Sequence, residues 1–364
     1  MTARRIFLAA TGQNRGKTTT SLGLAAAIAA EGHELGFLKP IGQRYVVVDG
    51  GRADEDAVLM KAVFGLPDAL DHMSPVTLPR HFTTDFVMGR VGDDLAAAVE
   101  RAYERIADRR DVVLVEGTGH AGVGAVIGLS NASVAAMLEA PVIIVSEGGV
   151  GRPIDEIVLN QALFEREGVR VLGAVVNKVN LDTNPQLADV LRRGLGQHGV
   201  ELLGCIPYSD LLANPSLELL ETHLEGVRLS GEPEDERTIG HVAIGAMRAE
   251  HAVPLLRDRT LLITPGDRGD LLEAALEVNE RTSADVPRVL GIILTGGFEP
   301  EAAILARLRS AGLWTFLVRS DTYRTAEAVH DILVKTHPAD TQKIATIIQL
   351  VGEALHAESL LARL

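Results

Sequence analysis

The stretch Ala10–Thr20, ATGQNRGKTTT, stands between the apolar run Ile6-Phe7-Leu8-Ala9 and the helix-compatible segment Ser21-Leu22-Gly23-Leu24-Ala25-Ala26-Ala27. A strand, a small-residue loop and a helix in that order can form a phosphate cradle. Small residues let backbone N–H groups converge on phosphate oxygens, the helix N-terminus adds positive dipole, and a lysine reaches the terminal phosphates. Gly16-Lys17-Thr18 supply a glycine, the lysine and a hydroxyl placed to ligate Mg²⁺. In the common spacing G-x-x-x-x-G-K-T the first glycine would fall at Thr11; here Gly12 follows it, so the pattern departs at one position. The alternative is a helix N-terminus capped by Thr or Asn, with an exposed lysine. The flanking strand and helix favour the cradle, with Gly12, Asn14, Arg15, Gly16, Lys17, Thr18 and Thr19 around the phosphates.

Outward from the loop, short Val/Ile/Leu-rich runs recur at Leu35–Lys39, Val112–Glu116, Pro141–Ser146, Val171–Asn177 and Leu202–Ile206. They do not alternate strictly, which fits parallel strands buried on both faces. Helix-compatible segments lie between them at Lys17–Gly32, Asp94–Asp108 and Asp155–Gly168. The expected fold is α/β, a doubly wound and mostly parallel sheet over residues 1–225. Residues 226–240 read as a solvated linker, with Gly231, Pro233 and the acidic Glu232, Glu234, Asp235 and Glu236. A second, smaller α/β domain is expected over 241–364, with strands near Thr260–Thr264, Val289–Thr295 and Thr315–Val318. Its last segment, Thr341–Leu364, carries Ile344, Ile347, Ile348, Val351, Leu355 and Leu360 at helical spacing. This is a stripe for core packing, with a dimer contact as the alternative.

A phosphate site with Mg²⁺ needs carboxylates, because Mg²⁺ keeps several waters and takes only one or two protein oxygens. Glu116 ends the run DVVLVE at the strand edge where open sheets bind ligands. Asp54-Glu55-Asp56 precede a helical segment; Asp56 serves equally as a metal ligand or as a dipole-complementing residue. Lys39, in FLKPIGQ, stands at the tip of the second strand, poised for an anionic substrate or simply solvated. Asn177, in VVNKVN, could meet an adenine edge, and Pro207-Tyr208 could cover a base.

The formal net charge of −14 argues against a nucleic-acid partner, although it leaves room for a local basic patch, and 4% aromatic residues offer little for base stacking. One cysteine, Cys205, excludes an internal disulfide and fits a reducing cytosol. No apolar run approaches the roughly 20 residues that span a bilayer.

In this order, TGQNRGKTTTSLGL, FLKPIGQ, DEDAVLM, LVEGTGH, VVNKVN and LGCIP resemble the dethiobiotin synthetase-like branch of P-loop proteins. IGAMRAEHAV, ITPGDRGDLLEAAL and GIILTGG are similar to the DRTGG domain, a pairing found in the N-terminal regulatory part of long bacterial phosphate acetyltransferases. The resemblance covers nearly the whole chain. It implies ATP held by Gly16, Lys17 and Thr18, and Mg²⁺ among Thr18, Asp56 and Glu116. It further implies Asn177 and Pro207 near adenine, Lys17 and Lys39 as catalytic cations, and a cytoplasmic homodimer. Asp267, Arg268, Thr295, Gly296 and Gly297 of the DRTGG-like part serve either as turn residues or as contacts for a small-molecule or protein effector. Two departures matter: Asn14-Arg15 replace an acidic loop residue of the synthetases, and GTGHAGVGAVIGLSNAS does not reproduce their substrate loop. With no acetyltransferase domain following Leu364, the chain is expected not to make acetyl phosphate. A nucleotide-sensing regulator and an ATP-dependent ligase or cyclase both remain open.

Overall fold

The computed structural model describes residues 3–92, 94–181, 183–233, 238–281, 288–332 and 334–364. The chain divides into two compact units, Met1–Tyr208 with Ile344–Leu364, and Ser209–Lys343.

The first unit is built on six strands, β1 (Arg4–Ala10), β2 (Leu35–Leu38), β3 (Val112–Glu116), β4 (Val142–Glu147), β5 (Val171–Val179) and β6 (Leu202–Pro207), in the order β6-β5-β4-β1-β3-β2. Every neighbouring pair is parallel. β3 is buried along its whole length, and so are the last residues of β1, as a sheet covered on both faces requires. From β1 the chain moves to one side for β2 and β3, then to the other for β4, β5 and β6. The reversal therefore falls at β1, and the loops leaving β1, β3 and β4 open onto the crevice where such sheets take ligands. A short antiparallel hairpin, Tyr45–Val48 with Gly51–Asp54, leads into the helix Glu55–Phe64.

The second unit contains β7 (Gly226–Ser230), β8 (His241–Ile244), β9 (Thr260–Pro265), β10 (Val289–Thr295) and β11 (Trp314–Val318), ordered β7-β11-β10-β9-β8. β8 to β11 are parallel, and β7 runs antiparallel to β11. Along β9, Leu261 and Ile263 face the helices Leu217–His223 and Thr322–Asp331, while Leu262 faces Gly269–Glu280 and Ala302–Ser310.

Two boundaries differ from the sequence reading. β7 lies within the stretch expected to be a linker; it is an exposed edge strand whose Val227 is 63% exposed, so its residues carry no burial pattern. Glu234, Asp235 and Glu236 of that stretch lie outside the described residues. The C-terminal segment belongs to the first unit rather than to a continuous domain over 241–364. Its apolar stripe is core: Ile344, Ile347, Val351, Leu355 and Leu360 are buried, and Ile348 faces outward. The packing is close enough to need glycine opposite it. A Cβ on Gly204 would stand 2.2 Å from the Ala354 carbonyl oxygen, and one on Gly23 2.2 Å from the Val351 Cβ.

Gly23→Ala ought to raise helix propensity by about 1 kcal/mol. The collision with Val351 instead makes it destabilising by about 1–3 kcal/mol in chemical denaturation, and Val351→Ala in the same chain relieves that loss. A stabilising single variant would show that the C-terminal helix does not seat there.

Candidate functional site

The loop after β1 closes on Gly16, whose φ of 92° lies in the left-handed region, at the start of the helix Lys17–Ala30. Glycine is required there twice over, since a Cβ would also stand 1.8 Å from the Asn177 side-chain nitrogen. Thr20 Oγ1 donates to the Gly16 carbonyl at 2.9 Å, tying the turn to the helix.

At the helix mouth the structure gathers Lys17, Thr18, Lys39, Asp56 and Glu116 from four segments of the chain. Thr18 Oγ1 donates to Asp56 Oδ1 at 3.1 Å and to Glu116 Oε1 at 3.2 Å. Lys39, buried at 4% exposure, bridges the same two carboxylates, with Nζ 2.5 Å from Asp56 Oδ2 and 2.9 Å from Glu116 Oε1. Asp54 caps the following helix by accepting from the Asp56 N–H at 3.0 Å, and it is itself buried. Two carboxylates thus bond the Lys39 ammonium and a third, Asp54, lies near enough to feel its charge, with Lys17 beside them. Burial pushes the Glu116 carboxyl above its ordinary range, with Lys39 opposing and Asp56 adding to the rise. Burial likewise lifts Asp54 to about 7, against the pull of Lys39. For Lys39, burial alone would lower the value; Asp56, Glu116 and Asp54 outweigh it and hold the ammonium above the usual lysine range. Lys17 is lowered to about 8, by burial first and then by Lys39.

Glu116 Oε2 is buried without a hydrogen-bond partner, as is the Ser21 hydroxyl, which lies near enough to ease the Glu116 charge but outside bonding geometry. An orphaned carboxylate oxygen beside a hydroxyl and a second carboxylate suits a hard dication with oxygen ligands. Among the described residues no three His, Cys, Asp or Glu side chains converge to hold a metal by themselves. Such a dication would therefore take further oxygens from phosphate and water.

The loop itself is braced from the sheet edge. Thr11, where the common pattern has glycine, meets Ser146 Oγ at 3.1 Å and donates to Glu156 Oε2 at 2.8 Å, so its hydroxyl is used. The Arg15 guanidinium is paired with Glu147 and, at 3.5 Å, with Glu156. Lys178 donates to the Asn14 carbonyl at 3.1 Å, and the Asn177 amide donates to the Arg15 carbonyl at 3.3 Å. Gly12 adjoins the Arg15 side chain. Among the described residues no side-chain hydrogen bond joins Thr19 or Pro207 to this group; Pro207 ends β6 in register with Val179. Past Glu116, Asn131 pins the next turn through the N–H and carbonyl of Thr118 and the carbonyl of His120.

Sequence reasoning missed Ser146, Glu147 and Glu156; it noted Thr11 only as a departure from the common loop pattern, and within the cluster Asp54-Glu55-Asp56 it singled out Asp56 alone. Ser146 and Glu147 end β4 as Glu116 ends β3, so the strand-edge rule that found Glu116 would have reached them. Nothing local marks Glu156, which lies within the helix Gly151–Arg166.

Residues 4–216 match the family model described as an AAA domain. The chain belongs to that family. Residues 220–332 match the DRTGG domain, so the AAA domain is followed by the second domain that the resemblance implied. Phosphate acetyltransferase of Nitrosomonas europaea is 28% identical, with 98% of this chain and 51% of that protein aligned. The Pseudomonas putida phosphate acetyltransferase is 30% identical, with 96% and 50% aligned. The chain spans about half the length of these curated relatives. Septum site-determining protein MinD of Pyrococcus horikoshii, solved with Mg-ADP, aligns at TM-score 0.34 and 16% identity over 58% of this chain and 83% of its own. In the DRTGG domain, Arg268 and Thr295 stand at the C-terminal edge of the second sheet, held by bonds to neighbouring loops. No helix among the described residues is long and apolar enough to cross a membrane.

Removing Lys39 from the AAA domain strands the buried Glu116 carboxylate and the half-buried Asp56 carboxylate. Lys39→Met is expected to destabilise the metal-free protein by about 3–5 kcal/mol. Adding Mg²⁺ should return part of that loss, read as a Mg²⁺-dependent rise in melting temperature larger than the one in wild type. Equal Mg²⁺ responses would show that these oxygens do not take the ion.

Proposed function

We propose that the AAA domain binds ATP with Mg²⁺, and that the chain is a cytoplasmic, homodimeric nucleotide-sensing regulator linked to acetyl metabolism. The observation that carries the nucleotide reading is the buried group at the helix mouth. An ammonium and a hydroxyl on the first turn of a helix face two carboxylates, one of them with an unused buried oxygen. Lys17 with the helix amides would hold the phosphates, while Thr18, Asp56 and Glu116 would hold the ion, which neutralises phosphate charge when bound. Asn177, whose amide donates to the Arg15 carbonyl, would meet the base edge. The link to acetyl metabolism rests on the names of the relatives, whose full length this chain only half spans.

A second reading is an ATP-dependent ligase or cyclase acting on a small anion. It is favoured by one observation: Lys39 is a second cation buried within the same group, adjoining Lys17, where an acceptor's negative charge could be met. ADP release together with a new product from candidate amines and carboxylates would favour this reading over sensing.

ATP with Mg²⁺ at 100 times its Kd should stabilise the protein by about 2.7 kcal/mol, and Lys17→Ala should abolish that gain. Absence of stabilisation in the metal-replete wild type would overturn the nucleotide reading.

The pH dependence follows from Lys17. Its charged form meets phosphate, and in the ligand-free protein that form is lost as pH rises through about 8. Above that point binding must take up a proton, so affinity falls by up to about tenfold per pH unit until the higher bound-state value is reached. Titration calorimetry in buffers of different ionisation enthalpy should show proton uptake above about pH 8 and none well below it. A flat affinity across this range would remove Lys17 from the phosphate contact.

A further inference from the structure

Of the residues that give the DRTGG domain its motif, Arg268, Thr295, Gly296 and Gly297 are already occupied by the protein's own groups, and Asp267 is exposed. Arg268 donates to both Asp270 oxygens at 2.8 and 2.9 Å, to the Gly245 carbonyl at 3.2 Å and to the Met247 carbonyl at 2.7 Å. Thr295 and Thr322 share a hydrogen bond of 2.7 Å. The Gly296 and Gly297 N–H groups donate to the Ser320 and Val318 carbonyls. A guanidinium with four such bonds and two amides already paired have little left for a ligand. The motif therefore fixes the loops at one edge of the sheet.

Unspent cationic capacity lies at the opposite edge. A cavity of about 530 Å³ opens there, at the N-terminal ends of β8, β9 and β10, lined by His241, Pro254–Leu256, Arg257, Asp258 and Arg288. Arg288 is paired with Asp258 at 2.7 Å, which leaves one net positive charge from Arg257. Among the described residues neither the Arg257 guanidinium nor the His241 ring has a side-chain partner, so the cavity presents donors that none of those residues consumes. The setting is fixed in advance. Buried Thr260 accepts from the Arg257 N–H at 3.0 Å and donates to the Arg257 carbonyl at 2.7 Å, locking the loop that carries the guanidinium. Arg259, two residues on, is held at a φ of 57°, a strained position for a long side chain, with its carbonyl accepting from the Gly240 N–H. Pro254, Leu255 and Leu256 give the cavity an apolar wall, and Leu255 is 56% exposed. The size falls within the roughly 300–1,000 Å³ of small-molecule sites, well above what a bare inorganic ion fills.

We propose that this cavity is the ligand site of the second unit, taking a small organic anion. A phosphate or carboxylate headgroup would lie against Arg257, Arg288 and His241, and an apolar body against Pro254–Leu256. The planar guanidinium suits either headgroup, because both offer paired oxygens to its fork of donors. The assignment rests on the reading that the second unit receives an effector, and it places that effector away from the motif loops.

The test uses the full chain, with phenyl phosphate and benzoate as probes and benzamide as the neutral control, followed by NMR of the Arg257 side-chain N–H and the His241 ring. At least one anion should shift both signals saturably with a Kd of about 1 mM or tighter, and Arg257→Ala should weaken that binding about tenfold or more. The tighter anion identifies the headgroup, and either one supports the site. Lys17→Ala should leave the probe's affinity unchanged while removing ATP stabilisation, so failure of the nucleotide reading and failure of this one give different results. No saturable shift from either anion, equal shifts from benzamide, or full affinity in Arg257→Ala would each overturn the proposal.

Discussion

The first unit is organised around a buried lysine between two carboxylates. Lys39 leaves the tip of β2, Glu116 ends β3, and Asp56 comes from the helix behind the hairpin; removing all three from water is costly unless they meet. Their meeting fixes the relative placement of β2, β3 and that helix, and brings Thr18 into the same hydrogen-bonded group. The group nevertheless remains overcharged. Asp54 adds a third carboxylate close by, and the rise of the Asp54 and Glu116 values records the strain of keeping so many carboxylates ionised out of water. One more positive charge would relieve it, and a dication carried in with phosphate has the right chemistry.

Around this centre the phosphate loop is held by side chains instead of being left to glycine alone. Thr11 is anchored by Ser146 and Glu156, Arg15 by Glu147 and Glu156, and the Asn14 and Arg15 carbonyls by Lys178 and Asn177. The loop is consequently fixed by the protein's own side chains, and the ordering cost is met on folding rather than on binding. Replacing the first glycine of the common pattern with threonine is then no defect, since the hydroxyl contributes one of the anchors.

The DRTGG domain divides its labour between two edges of one sheet. At the C-terminal edge, arginine, threonine and glycine N–H groups are consumed in bonds between loops. At the N-terminal edge, Arg257 and His241 line an open cavity and, among the described residues, have no side-chain partner, while Arg288 is paired with Asp258. Residues named by a motif need not be those that touch a ligand; here Arg268, Thr295, Gly296 and Gly297 are architectural, and the cavity-lining Arg257 and His241 fall outside the motif.

The sequence by itself determined the parallel α/β order of both units, the strand end at Glu116, and the Gly16-Lys17-Thr18 turn, because these depend on local composition and on the period of burial. It did not reveal β7, an exposed edge strand with no apolar pattern, nor that residues 344–364 close over the first sheet, where the fit depends on Gly23 and Gly204 far away in the chain. Nor could it assign Glu156 to Thr11, a bond spanning 145 residues, or show that Arg268 is saturated while Arg257 has no side-chain partner among the described residues. Periodicity reports which face of an element is buried, whereas the partner of a charge is decided by where the chain returns, and only the folded sheet fixes that.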